Sequence, residues 1–120
     1  MSVPCALAIS AADPGGGLLA TDLLAFDVLG VLGSGVVTAL TSHGIRQAGP
    51  SHDAPVAILN AALEAALAIR PPSSAKVGLL TTVPAVRTVA RALASSPFPI
   101  VIDPGSVSYT HLTLPTNREV

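Results

Sequence analysis

The stretch that most constrains this chain is Ala6-Leu7-Ala8-Ile9-Ser10-Ala11-Ala12-Asp13-Pro14-Gly15-Gly16-Gly17, an apolar run that stops at an acid and passes through a proline and three glycines. An apolar run of strand length bounded by turn chemistry reads as a buried strand. Helical periodicity begins at Leu18. A strand, a glycine turn and a helix N-terminus together make an anion-binding corner, because free backbone N–H groups and the helix dipole point at one place. Glycines let the backbone approach a ligand that side chains would hold off. The corner implies a small molecule that carries a phosphate or is about to receive one.

The remaining pattern extends this unit into βαβαβαβ. The first helix places Leu19, Leu23, Phe26 and Gly30 at helical spacing, with Thr21, Asp22 and Asp27 for the wet side. Gly30 and Gly33 mark its end, and Val36 to Leu40 reads as the second strand. A loop with Gly44, Gly49 and Pro50 leads to Asp53, an expected N-cap with Pro55 in the first turn. The second helix carries Ile58, Leu59, Ala62, Leu63, Ala66 and Leu67 on one face and stops at Pro71-Pro72. Lys76 to Leu80 is the third strand. Thr82 and Pro84 open a third helix with Val86, Ala90 and Leu93 facing inward, and Ile100 to Asp103 is the fourth strand. Alternating elements of this length predict an α/β fold, an open, mostly parallel, doubly wound sheet with right-handed crossovers.

Composition agrees with a covered parallel sheet. Half of the 120 residues are hydrophobic but only 2% are aromatic, so Ala, Val, Leu and Ile fill the core. With six basic and seven acidic residues there is no basic stripe for a nucleic-acid partner. The single cysteine, Cys5, excludes an intrachain disulfide framework and fits a reducing cytoplasm. Val28 to Ile45 lacks Asp, Glu, Lys and Arg, but Gly30, Gly33, Ser34 and Gly35 interrupt it, so no membrane span is expected. The N-terminus carries no positive segment of the kind that opens a signal peptide.

In open parallel sheets, ligands bind beyond the carboxyl ends of the strands. The residues there are Ser10 to Asp13, Thr41-Ser42-His43, Thr81-Thr82 and Asp103, which puts most of the reactive polar groups on one rim. Asp13 to Gly17 either surrounds a ligand or is a turn held by an Asx bond. Asp103 either holds a metal or water or caps the next segment. His43 is either a ligand contact or a satisfied structural group. Gly15 to Ala20 fits a dinucleotide fingerprint, but the second strand ends without the required acid, and no Gly-Lys-Ser or Gly-Lys-Thr follows the glycines. The histidines lack zinc-ligand spacing, and Gly33-Ser34-Gly35 is no nucleophile elbow.

An ordered set of motifs then carries a resemblance: Ala6-Leu7-Ala8-Ile9 before Asp13-Pro14-x-Gly16-Gly17, Asp22-Leu23 with Phe26, Leu29-Gly30-Val31, Val37-Thr38-Ala39-Leu40-Thr41, Lys76-Val77-Gly78-Leu79-Leu80, and Val101-Ile102-Asp103-Pro104. Ala6 to Pro104 resembles the N-terminal part of the hydroxymethylpyrimidine and phosphomethylpyrimidine kinases of thiamine biosynthesis, which have the ribokinase-like fold. The resemblance implies phosphoryl transfer from ATP, with Mg2+, to a pyrimidine hydroxymethyl group, and in many members a second transfer to the monophosphate. It implies a cytoplasmic enzyme that is a homodimer at full length. Asp13, Gly16, Gly17, Asp22 and His43 match substrate-binding positions. His43 stands where the family usually has a Gln, whose donor and acceptor an imidazole imitates in part. Asp103 matches the phosphate and magnesium region.

The chain also departs from the family pattern. Ala11 replaces a usual Gly, and the Gly17–Asp22 interval is one residue shorter than usual. In the family the nucleotide site, anion hole and catalytic base come from the C-terminal half, around a Gly-Thr-Gly-type segment that opens a helix; this sequence has no such segment, so no catalytic residue is assigned. Residues 1–105 are therefore read as the N-terminal part of a kinase domain, truncated after about four strands. Residues 106–120 shift abruptly in composition and look like translated adapter sequence, a non-native tail. A pyridoxal or pyridoxine kinase of the same fold, or a non-enzymatic flavodoxin-like binding module, are the alternatives. Without its second half, a sheet of this kind is expected to expose apolar surface, aggregate and lack activity.

Overall fold

The computed structural model describes residues 3–14, 17–42 and 49–103. Its first strand, β1 (Cys5–Ala12), is buried without a break from Ala6 to Ala11. Such a strand needs cover on both faces and a neighbour on both edges. The neighbours are β2 (Leu32–Thr41) and β4 (Ser74–Val77), both parallel to β1. Beyond β4 lies β5 (Ile100–Ile102), also parallel, and beyond β2 the short antiparallel β3 (Ser51–Asp53), giving the order β3-β2-β1-β4-β5.

The helices divide between the two faces. On one face Leu7, Ile9, Val36, Ala75 and Val77 pack with Leu59 and Leu63 of α2 (Val56–Ile69) and with Ala85, Val89 and Leu93 of α3 (Val83–Leu93). The other face carries α1 (Leu19–Val28), whose Leu19, Leu23 and Phe26 lie directly over Gly35 and Gly33. A Cβ at Gly33 would come within 3.0 Å of both Leu23 and Phe26, so the helix sits this close because β2 has no side chain there. The expected doubly wound, mostly parallel sheet is what forms.

Several local expectations are corrected. Gly33 does not end α1, because Gly30 already does so at φ +75, and β2 starts at Leu32. Asp22 is not on the wet side of α1 but is buried. The segment before α2 forms β3 rather than a plain loop, and Asp53 does not cap α2: its carboxylate accepts the Thr81 hydroxyl while Pro55 starts the helix. The third strand ends at Val77, where Gly78 N–H still reaches Ile9 O at 2.7 Å but Leu79 N–H turns to the Ser10 hydroxyl at 3.3 Å. Buried α3 residues are Ala85, Thr88, Val89 and Leu93, so Val86 and Ala90 belong to a second, open stripe. Thr82 caps α3 as expected, accepting Ala85 N–H at 3.1 Å.

No helix among the described residues is long and apolar enough to cross a membrane. The uncharged stretch after Val28 resolves into a helix end, a turn and β2.

The two faces of α2 give a direct check. Leu63 is fully buried whereas Ile58, expected to share its face, is 62% exposed. Leu63→Ala is expected to cost about 3 kcal/mol through lost contacts and a cavity, and Ile58→Ala less than about 0.5 kcal/mol. Pulse proteolysis across a urea series, run in dilute solution, measures both, and equal losses would contradict this packing.

Candidate functional site

Four parallel strands of one sheet bring their carboxyl ends to one edge. Asp13 follows β1, Ser42 follows β2, Gly78 follows β4 and Asp103 follows β5. Thr82 lies on the same rim at the start of α3, but its hydroxyl is taken up by the helix cap. The rim expected from strand ends is therefore present at Asp13, Thr82 and Asp103. Gly16 and His43, two of the expected substrate contacts, lie outside the described residues.

Buried hydroxyls stitch the rim from below. The Thr38 hydroxyl donates to Leu79 O at 2.8 Å, the Thr41 hydroxyl donates to Ala12 O at 3.1 Å, and the Ser10 hydroxyl accepts Leu79 N–H. Each satisfies a backbone group left over where a strand ends, at a place where an unpaired group would be costly.

The corner before α1 is held by its own acid. Asp13 Oδ1 accepts the N–H of Gly17 at 3.3 Å, so the Asx-type turn weighed in the sequence does exist. Next comes Leu18, which adopts φ 54 and ψ −118, a left-handed conformation rare for a side chain with a Cβ. A residue in that region stores about 1–3 kcal/mol of strain, which surrounding contacts must offset. Here Leu18 packs against Ala11, Ala39 and Leu79. The result is a helix that begins on the rim with no side chain capping it, in contrast to α3. An uncapped first turn presents N–H groups and the positive end of the helix dipole to whatever lies at the corner.

Beneath that first turn is a charge pair. Asp22, in the first turn of α1, is only 7% exposed and accepts a hydrogen bond from Lys76 Nζ at 2.5 Å through Oδ1. Its second oxygen, Oδ2, is buried with no hydrogen-bond partner in the structure. The same ammonium lies 3.9 Å from Asp103 Oδ2. Lys76 therefore links α1, β4 and the end of β5. Sequence reasoning placed Lys76 in a strand and gave it no role, although one signal was available: it is the chain's single lysine, set in an otherwise apolar strand.

Among the described residues no three His, Cys, Asp or Glu side chains converge to hold a metal ion. What the corner can do is receive a small polar molecule at the open start of α1, with Asp13 fixing the turn and Lys76 fixing Asp22.

The pair predicts an asymmetry. Lys76→Met leaves a buried carboxylate without its cation and is expected to cost about 3 kcal/mol. Asp22→Asn leaves a lysine already 28% exposed, and is expected to cost about 1 kcal/mol. The double variant Lys76→Met/Asp22→Leu should recover most of the larger loss. Urea midpoints by pulse proteolysis decide it; equal costs for the two single variants would contradict a buried-anion account.

The fold recurs in known proteins. Residues 13–119 match the phosphomethylpyrimidine kinase family. The hydroxymethylpyrimidine/phosphomethylpyrimidine kinase of Synechococcus elongatus is 35% identical over 118 residues, which cover 95% of this chain and 44% of that protein. The crystal structure of phosphomethylpyrimidine kinase from Clostridium difficile 630 is similar with a TM-score of 0.79 and 24% identity, over 83% of this chain and 44% of the other. Staphylococcus aureus pyridoxal kinase, solved in complex with AMP-PCP and pyridoxal, is similar with a TM-score of 0.79 and 24% identity, over 99% of this chain and 43% of the other. At such identity the two structures speak for the fold. The chain spans 37% to 44% of the length of the curated relatives it matches. With the strand-end corner, the sheet order and a family match over nearly its whole length, this chain belongs to the phosphomethylpyrimidine kinase family, whose members are phosphotransferases.

Proposed function

We propose that this chain is the acceptor-binding portion of an ATP-dependent kinase acting on 4-amino-5-hydroxymethyl-2-methylpyrimidine, its monophosphate, or both. The observation that carries the reading is the uncapped start of α1 on the rim, directly after the Asp13–Gly17 turn, in a chain of this family. In phosphoryl transfer most of the catalysis is positioning and charge stabilisation, so a corner that fixes the acceptor is a functional part in itself.

In this reading Gly16 and Gly17 contact the pyrimidine, Asp13 holds the turn, and Asp22, paired with Lys76, anchors the first turn of α1 below it. His43, following β2, takes the hydrogen-bonding place that the family usually gives to a Gln, with one donor and one acceptor when neutral. Asp103 lies near the transferred phosphate. ATP supplies the phosphoryl group, and this reading gives no residue of the chain the task of binding it or of deprotonating the acceptor. A cytoplasmic site of action accords with the free, unpaired-type cysteine at Cys5. Residues 106–120 are given no role in this reading, although the family match runs to residue 119.

A second reading is favoured by the similarity to the pyridoxal kinase structure: phosphorylation of pyridoxal or pyridoxine on the same fold. Specificity kinetics separate the two. In a chimera joining this chain to the unmatched portion of the Synechococcus elongatus relative, kcat/KM is expected to favour hydroxymethylpyrimidine over pyridoxal. His43→Gln in that chimera is expected to preserve or raise kcat/KM for the pyrimidine, and a folded variant that no longer binds it would overturn the role given to His43. The 120 residues alone are expected to show no pyrimidine-dependent ATP consumption; measurable turnover with a cooperative melt would show the chain to be a complete enzyme.

A further inference from the structure

The chain between β4 and α3 is tied down at nearly every residue. A Cβ at Gly78 would lie 2.5 Å from Ser10 Oγ and 3.0 Å from Ser10 Cβ, and the Gly78 N–H donates to Ile9 O at 2.7 Å. Leu79 has left the strand ladder, yet both of its backbone groups are bonded, each to a different strand. Its N–H donates to the Ser10 hydroxyl of β1 at 3.3 Å, and its C=O accepts the Thr38 hydroxyl of β2 at 2.8 Å. Two residues on, the Thr81 hydroxyl donates to the carboxylate of Asp53, the last residue of β3. Residues 78–81 thus form a strap that leaves β4 and is fastened in turn to β1, β2 and β3.

The strap bears on the corner through one side chain. Leu79 is 5% exposed and packs with Ala11 and Ala39, and Leu18 rests on this cluster. Ala11 and Ala39 each offer a single methyl group, so the bulk behind Leu18 comes from Leu79. Leu18 holds φ 54 at the entry to α1. A strained conformation persists only where its surroundings over-determine it. Thr38 is 1% exposed and lies 41 positions from Leu79 in sequence. Without its hydroxyl, Leu79 O would be buried with its bond unmade. The strap would then have to shift to regain a partner, and Leu79 would move off Leu18.

We propose that Thr38 is a positioning residue for the acceptor: it stands on β2, outside the corner, and acts through Leu79 and Leu18 on the start of α1. The proposal deepens the acceptor-binding reading and rests on it for the ligand. The conformational link from Thr38 to α1 is tested apart from any ligand.

Hydrogen exchange read by mass spectrometry, on the 120-residue chain in dilute solution, tests that link. Thr38→Val keeps the shape of the side chain and removes the hydroxyl, and is expected to speed exchange over residues 17–23 about tenfold relative to α2. Thr38→Ser keeps the hydroxyl and is expected to stay within about twofold of the parent chain. Leu79→Ala keeps both hydroxyls, removes the contact with Leu18 and is expected to match Thr38→Val. Leu67→Ala loosens α2 against the core and is expected to speed exchange in α2 alone. Equilibrium dialysis against 4-amino-5-hydroxymethyl-2-methylpyrimidine tests the consequence. Kd is expected to rise about tenfold for Thr38→Val and Leu79→Ala, and to stay unchanged for Thr38→Ser and Leu67→Ala. The proposal is overturned if exchange over residues 17–23 is indifferent to Thr38→Val, if Leu67→Ala speeds it equally, or if Thr38→Val binds the pyrimidine as the parent does. A parent chain that binds neither pyrimidine nor pyridoxal would sink the functional reading, and exchange over residues 17–23 would still decide whether Thr38 sets the corner.

Discussion

Burial of β1 on both faces is the constraint from which the rest of the structure follows. A strand with no solvent-facing residue from Ala6 to Ala11 can exist only between helical layers. The chain meets that demand with α1 over one face and α2 and α3 over the other, and with parallel neighbours on both edges. Small residues make it possible. Gly33 and Gly35 let α1 lie on β2, while Ala6 and Ala8 keep that face of β1 thin enough for Lys76 to reach Asp22. Once β1 is fixed, the strand ends are fixed, and with them the rim.

The polar groups on and under this rim have different duties. Ser10, Thr38, Thr41 and Thr82 each satisfy backbone atoms at the points where strands end or a helix begins. Asp13 holds its own turn. What the structure leaves available is backbone: the start of α1, reached through a strained Leu18 and lacking a side-chain cap. Apolar contacts hold the strained Leu18 in place, and relaxing it would change the entry into α1. The pair of Lys76 and Asp22 anchors the same turn from beneath, so the corner is supported by packing on one side and by charge on the other.

The asymmetry of the molecule bears on its role. The β2 side ends in a short antiparallel strand, a common way of closing a sheet edge. The opposite side ends in a parallel strand with exposed Val101 and Ile102 and in a helix with an unfilled apolar stripe. Among the described residues the two edges therefore differ: one carries an antiparallel strand, the other leaves apolar side chains exposed.

Residue order alone determined the alternation of elements, the parallel sheet, the strand-end rim and the family, because each depends on local composition: an apolar run of strand length, glycines after an acid, prolines at helix boundaries, a threonine cap. The fate of Asp22 was not legible, since helical spacing puts it among polar residues and only the approach of Lys76, 54 positions away, makes burial tolerable. The same is true of α3, where Val86 and Val89 are equally apolar and only the packing of α2 and β4 decides which faces the core. β3 escaped notice because three exposed residues carry no apolar pattern, and they pair only because β2 extends far enough to receive them. Local pattern specifies which elements form. Which face of each is buried, and which charges meet, is decided by contacts between segments distant in sequence, and those exist only once the sheet has assembled.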